Sequence, residues 1–566
     1  MYFHINGNLV FHGVCYDKKE LETQKQKVRF FLERKKLNEQ EVVGISMTRS
    51  PLLLITMFAL LEEAIPFLPI DANLPEERLQ YMLNQAEVQI IITDNNTRRE
   101  FCGREVLCID KSVESSAEGV KSMGVCKREL AYLLFTSGST GLPKAVEIYR
   151  RGLENFITAI PEAIEFPQKG RIACLTNYTF DIFFLESIMA LWQGMTVILA
   201  DEEERSNPRK IKELIKREKI NVIQMTPSAL KMLQMVDENF SCLKGVKTIL
   251  VGGETFPEQL LKLLQRTMNG KIYNMYGPTE TTIWSMVADL TEADSVHIGR
   301  AIKNTEIFVL DKKLEEVPPG QVGELAISGI GLAKGYHNDP DKTRQQFIYK
   351  ERNGIKIRLY LTGDYGILNN TGNYSFCGRR DNQVKILGHR IELEDIEENV
   401  MKISEIQNAM VTVYGEDIKR LVCFYLAPKM VSEELLRNAI KRYLPDYMVP
   451  SKWILVPEFV FTASNKADRN AMVKKYLGNC PVNKDKQKIS TTTNEIFQVV
   501  KESMELGQAK IQLEDNLDAY DIDSLKYIQM LVAIEEHYDI EFDEKMLGMH
   551  YFKNFKELVE YIAEEI

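Results

Sequence analysis

The run LLFTSGSTGLPKAVEI at residues 133–148 collects residue types that bind phosphate. Gly138 and Gly141 let the backbone turn tightly, Thr136, Ser137, Ser139 and Thr140 bring hydroxyl donors, and Lys144 brings a cation. A loop of this kind wraps anionic oxygens with backbone N–H groups. A P-loop closes on Gly-Lys-Ser/Thr, whereas Gly141 is followed by Leu142, Pro143 and Lys144, so this is a different phosphate loop. Far downstream, DIDSLKYIQML at residues 521–531 sets Ser524 at the start of an acidic helix, with Leu525, Ile528, Leu531 and Ile534 at helical spacing. Free N–H groups at a helix start favour an anion, so Ser524 is suited to bear a phosphodiester. Together the two segments imply a chain that activates a substrate and then loads it onto itself.

The elements that must position these groups follow from the pattern. Between residues 42 and 200, β-rich runs (VVGISM, VQIIITD, RIACLTN, MTVILA) alternate with helical stretches, and the alternation resumes at NVIQMTP and KTILVGG. That is the texture of βαβ units and a largely parallel sheet. QVKILGHRIE alternates as a strand and precedes an acidic helix start, LEDIEENVMK, so a second subdomain is expected near Asp381. The stretch 478–493 is polar and reads as a linker, and the remainder has the periodicity of a small helical bundle.

Composition sets limits. The 566 residues exceed one ordinary core, and 45% hydrophobic with 27% charged residues reads as a soluble globular protein. The longest apolar run, Pro51–Leu61, is too short to span a bilayer and reads as a buried helix. No export signal is visible at the N-terminus, so a cytoplasmic protein with no membrane partner is expected. Nine cysteines form no CxxC pair and read as reduced core residues, and seven scattered histidines contain no HExxH. Residues 491–566 carry 18 acidic against 6 basic side chains, a net −12 of the chain's total −10. The tail is thus a separate acidic module, unsuited to nucleic acid and able to dock on basic surfaces.

The phosphate loop resembles the signature of adenylate-forming enzymes. NMYGPTETT (274–282), GELAISGIGLAKGY (323–336), YLTGDYG (360–366), GRRDNQVKILGHRIELEDIE (378–397), LPDYMVP (444–450) and NKADR (465–469) follow in that family's order. They look like the amino-acid-activating adenylation domains of nonribosomal peptide synthetases, over roughly residues 30–477, and the segment around Ser524 resembles peptidyl carrier proteins.

The resemblance implies an α/β fold: a large adenylation core (1–380) with mostly parallel sheets, a small α+β mobile subdomain (381–477), the linker (478–493) and an all-α carrier bundle (494–566). It also implies roles. ATP is held by Thr136, Ser137, Gly138, Ser139, Thr140, Gly141, Lys144, Asn274, Tyr276, Gly277, Thr279, Asp364, Phe376 and Arg379. Within that set Tyr276 stacks on adenine and Asp364 takes both ribose hydroxyls. Glu280 is the carboxylate for Mg²⁺, which binds through a carboxylate and ATP phosphates. Lys466 bridges the substrate carboxylate and the charge developing at the α-phosphate, Asp381 is a hinge, and Ser524 carries 4′-phosphopantetheine.

Asp181, in NYTFDIFFLES, matches the position that pairs with the α-ammonium of an amino acid. The remaining pocket positions carried over are Ile182, Leu185, Gln224, Leu250, Gly252, Met275, Ile283 and Trp284. The set closely resembles pockets associated with glycine, with alanine and serine as nearest competitors and an acyl- or aryl-acid ligase as the alternative activity. Implied partners are a phosphopantetheinyl transferase, condensation or tailoring enzymes in trans, and a small activator protein.

Overall fold

The protein is described from a computed structural model, covering residues 3–37, 42–97, 99–109, 128–138, 142–352, 354–380, 383–386, 388–415, 419–460 and 468–477; of the C-terminal stretch it covers residues 497, 500, 512, 515–517, 527, 530, 531, 534, 542, 546, 552 and 554–565. The chain divides into two compact units, Met1–Asp395 and Ile396–Ile566.

Among the described residues, the first unit is built on two large sheets. Six strands of the first run parallel: Lys271–Tyr276, Thr248–Gly252, Val222–Met225, Arg171–Cys174, Thr196–Leu199 and Asn8–Phe11, in that spatial order. Strands such as Thr248–Gly252 (TILVG) are buried along their whole length, as a parallel sheet covered on both faces requires. In the second sheet the parallel strands Phe67–Pro69, Val43–Ser46, Ile90–Thr93 and Glu105–Cys108 continue on one side into Leu130–Thr136. That strand turns back antiparallel as Lys144–Tyr149. A third, antiparallel sheet includes Ile355–Leu368 paired with Tyr374–Arg379.

One apolar cluster joins the two large sheets, with Leu250 and Met275 from one, Tyr132, Val146 and Ile148 from the other, and Trp284 from the connection after Lys271–Tyr276. Between them runs an unbroken helical stretch, Ile182–Phe184, Leu185–Met189 and Ala190–Trp192, whose middle turn is a π-helix. Such single wide turns recur at functional sites because they re-aim side chains. The run Pro51–Glu62 is the buried helix expected, opened by Pro51 at its first turn.

Two expectations need correcting. QVKILGHRIE is not one strand: Val384–Ile386 and His389–Ile391 form a hairpin about Gly388, whose φ of +81° suits glycine. The described cysteines are free, but they are not all core residues: Cys174, Cys242 and Cys423 are buried, whereas Cys15, Cys102 and Cys377 are exposed.

In the second unit, Asn408–Tyr414 and Arg420–Leu426 pair antiparallel and Lys452–Leu455 adds a parallel strand. Farther along, Phe497, Val500, Leu517, Tyr527, Met530, Leu531 and Ile534 pack with Phe555, Leu558 and Ile562 of the helix Phe555–Glu565 as a separate small core. No described helix is long and apolar enough to cross a membrane.

Candidate active site

Strand register places the phosphate loop. Thr136, last in its strand, pairs directly with Lys144, first in the returning strand, so the loop leaves and re-enters the sheet at one point. A Cβ on Gly138 would stand 2.1 Å from the Leu142 carbonyl oxygen, so no other residue fits there. Thr136 Oγ1 is buried with no hydrogen-bond partner, an orphan that a phosphate oxygen could satisfy. Ser137 Oγ donates to the Arg390 carbonyl (2.8 Å). Ser139, Thr140 and Gly141 lie outside the described residues.

Lys144 points into a buried cluster. Its Nζ is 3.2 Å from Tyr336 Oη and 3.2 Å from Glu280 Oε1. Burial pushes its ammonium down to about 8, against the pull of Glu280; Arg390 and Lys342 lower it further. Glu280, in the short turn Thr279–Thr281, is fully buried. It accepts from Arg390 Nη1 at 2.9 and 3.1 Å and from Tyr336 Oη at 2.9 Å. Burial alone would raise this carboxyl, but Arg390 and then Lys144 outweigh it and hold it well below the usual range.

Arg390 and Lys144 keep Glu280 ionised, and Mg²⁺ takes one or two such carboxylates beside phosphate oxygens. Three donors crowd Oε1, while Arg390 alone takes Oε2, so a cation at Oε2 competes with Arg390.

Asp364 and Arg379 are opposite each other in the antiparallel ladder and form an ion pair. The other carboxylate oxygen of Asp364 accepts from Tyr276 Oη at 2.5 Å, and Tyr276 and Phe376 pack against the same small apolar cluster. Asn274 Nδ2 donates to the His297 carbonyl (2.8 Å). Gly277 lies so close to the backbone at Ile283 that a Cβ would be 2.5 Å from its oxygen.

Asp181 precedes the helical stretch between the sheets but does not cap it; its Oδ2 accepts from Thr279 Oγ1 at 2.7 Å. Burial pushes its carboxyl up, while Thr279 and, more remotely, Lys385 favour the charged form. A half-buried carboxylate in this state gains from a cationic ligand. Ile182 and Leu185 follow on the same helical stretch. Gln224 and Leu250 are cross-strand neighbours, as are Gly252 and Met275. Thr282 (φ +65°) and Ile283 (φ +69°) hold left-handed backbone that is unusual for β-branched residues, and this turn delivers Trp284 into the core. Its ring lies against Gly252, where a Cβ would stand 2.8 Å from Cη2.

Arg390, Tyr336 and Lys385 were not singled out by the sequence reading. Arg390 and Lys385 lie inside a quoted motif, yet only the folded hairpin brings Arg390 to Glu280 and Lys385 into the field of Asp364 and Asp181. Gly388 N–H in the same hairpin donates to Glu254 Oε1 at 2.6 Å. Lys466, Asp381 and Ser524 lie outside the described residues.

With that geometry in place, comparison with known proteins defines the class. Residues 10–337 match the model of the AMP-binding enzymes, and residues 494–562 match the phosphopantetheine attachment site. The chain belongs to the AMP-binding enzyme family, joined to a phosphopantetheine carrier domain in the adenylation-plus-carrier arrangement of nonribosomal peptide synthetases. It is an adenylate-forming ligase of the kind that uses ATP with Mg²⁺, and its carrier domain is of the kind that bears phosphopantetheine covalently.

Among relatives, it is 34% identical to a dimodular nonribosomal peptide synthase of Bacillus subtilis (strain 168), over 80% of this chain and 19% of that protein. A solved holo protein containing adenylation and carrier domains, bound to a vinylsulfonamide inhibitor, covers 99% of this chain and 94% of its own at a TM-score of 0.82 and 22% identity, a likeness of fold. A holo four-domain nonribosomal peptide synthetase bound to AMP and glycine is 27% identical at a TM-score of 0.60, over 99% of this chain and 42% of its own. The chain thus spans less than half of the two synthetases.

Proposed function

We propose that the protein activates glycine with ATP, giving glycyl-AMP and pyrophosphate, and passes the glycyl group as a thioester to the arm of its own carrier domain. Two observations carry this reading: an Asp181 carboxylate raised by burial, and an indole pressed against Gly252. The carboxylate suits an α-ammonium, and the indole leaves little volume for a side chain. The relative solved with AMP and glycine supports the same choice. Serine is the second reading, favoured over alanine because Trp284 Nε1 is buried without an acceptor.

In this reading Thr136, Ser137, Gly138, Ser139, Thr140, Gly141 and Lys144 cradle the phosphates. Asn274, Tyr276, Gly277, Thr279, Phe376 and Arg379 shape the nucleotide pocket, and Asp364 takes the ribose hydroxyls through the lone pairs left by Tyr276 and Arg379. Glu280 holds Mg²⁺. Ile182, Leu185, Gln224, Leu250, Gly252, Met275, Ile283 and Trp284 are assigned to the substrate pocket beside Asp181, and all but Gly252 are buried side chains.

Lys466 neutralises the charge that develops as the carboxylate attacks the α-phosphate, and Asp381 is the hinge of a mobile subdomain at 381–477. Residues 1–380 form the core, 478–493 the linker and 494–566 the carrier, with Ser524 as the attachment point. Bound there, the arm supplies the thiol that accepts the glycyl group. A phosphopantetheinyl transferase installs the arm, and condensation or tailoring enzymes in trans use the product; a small activator protein is a further candidate partner. The chain's use of ATP, and of coenzyme A as the source of the arm, suits the cytoplasm. Amino-acid-dependent pyrophosphate exchange across the twenty amino acids tests the reading: glycine should give the fastest exchange, and a faster rate with phenylalanine or leucine would contradict it.

A further inference from the structure

A cavity of about 310 Å³ opens beside the phosphate loop. Lys144, Arg379, Arg380 and Arg390 line it with Glu392 and Glu394, as do Lys342 and Gln346. The last two stand one helical turn apart on Pro340–Gln346, so both face the cavity from the same side. Asp339 caps that helix by accepting from Lys342 N–H at 2.9 Å. The helix is also tied to the strand Gly335–Tyr336, because Tyr336 N–H donates to Thr343 Oγ1 at 2.9 Å. Tyr336 is the residue whose hydroxyl meets Lys144 and Glu280, so the helix is held in register with the buried charge cluster.

Lys342 Nζ reaches the phosphate loop itself: it lies 3.9 Å from where a Cβ on Gly138 would be. A phosphate oxygen beside Gly138 would therefore be within reach of Lys342, and Lys144 lines the same cavity. Five cationic side chains face two carboxylates in this cavity, an excess that a polyanion offsets. A lysine acts there as a mobile point charge.

We propose that Lys342, with Gln346 beside it, forms a second phosphate station that takes the terminal phosphates of ATP and inorganic pyrophosphate, beyond the reach of the single phosphate of AMP. The proposal rests on the reading of the phosphate loop given above. It assigns Lys342 a binding role in the first half-reaction and in pyrophosphate release, and none toward the bound adenylate.

Calorimetric titration of the full chain with Mg²⁺-pyrophosphate, Mg²⁺-ATP and AMP tests it. Lys342→Ala should weaken pyrophosphate and ATP roughly ten-fold, the size of one charge-assisted contact, and leave AMP within about two-fold. Lys342→Arg should restore most of the loss. Pyrophosphate affinity unchanged in Lys342→Ala, or AMP weakened as much as pyrophosphate, overturns the station while the adenylation reading stands. A wild-type chain that binds neither ATP nor pyrophosphate overturns both.

Discussion

Arg390 Nη1 lies 2.9 Å from one oxygen of Glu280 and 3.1 Å from the other, so a single guanidinium nitrogen bridges the buried carboxylate proposed for Mg²⁺. Cation and guanidinium are alternatives at one anion, since bringing both to Oε2 would set like charges within contact distance. Arg390→Ala should therefore lower the half-saturating Mg²⁺ concentration in pyrophosphate exchange by about three- to ten-fold, corresponding to about 0.6–1.4 kcal/mol. Lys144 and Tyr336 remain to hold Glu280 in that variant. A Mg²⁺ requirement that stays the same or rises would show that Arg390 does not compete for this carboxylate.

Lys144 sets a pH dependence. Its ammonium is pushed down to about 8 from an ordinary 10.5, chiefly by burial. Phosphate favours the protonated form, so ATP affinity should be full below about pH 8 and fall as pH rises through that value. Lys144→Arg should flatten the profile, because a guanidinium stays charged throughout. For the ligand-free fold the sign is opposite: between about 8 and 10.5 the unfolded chain holds a proton that the folded chain does not, so this group's contribution to stability rises with pH there. ATP titration at pH 7 to 9.5 reads the first effect, and a flat wild-type profile would contradict it.

How much of this was visible beforehand differs by residue. The phosphate loop, Glu280, Asp364 and Asp181 stand in short motifs whose residue types announce their chemistry, and the structure brings the described ones together. The parallel strands were equally plain, being short buried runs of Val, Ile and Leu. The hairpin at Gly388 was not, because QVKIL and HRIE alternate identically whether straight or folded, and one glycine with positive φ decides the matter. Arg390 and Lys342 were invisible for a related reason. Surface-type cations carry no local signal of the site they reach, since Arg390 meets Glu280 across 110 positions and only tertiary structure closes that distance.

The pocket makes a steric prediction. Wild type should prefer glycine over alanine by about ten- to two-hundred-fold, the range one added methyl group commands. Trp284→Ala should shift activation toward alanine, serine or larger amino acids. Gly252→Ala should act in the other sense, since its Cβ would stand 2.7 Å from the Met275 carbonyl and 2.8 Å from the Trp284 ring. Overpacking of that kind costs about 1–3 kcal/mol in stability and should raise the KM for glycine. Exchange kinetics with glycine and alanine on the three proteins decide it; an unaltered preference in Trp284→Ala would remove the indole from the pocket wall.

Lys466 separates the two half-reactions. Lys466→Ala should reduce adenylate formation by about a thousand-fold, within the range for loss of one preorganised charge. Transfer from preformed glycyl-AMP to the carrier should survive within about ten-fold. Equal loss of both steps in a folded variant would place the lysine's role elsewhere.

The most direct test of self-loading is the intact mass of the full chain after treatment with a phosphopantetheinyl transferase and coenzyme A, then with ATP, Mg²⁺ and glycine. The account predicts one added arm, then one added glycyl group that hydroxylamine removes, with neither addition in Ser524→Ala. A wild-type chain that takes no arm, or a Ser524→Ala chain that still acquires the glycyl thioester, would contradict it.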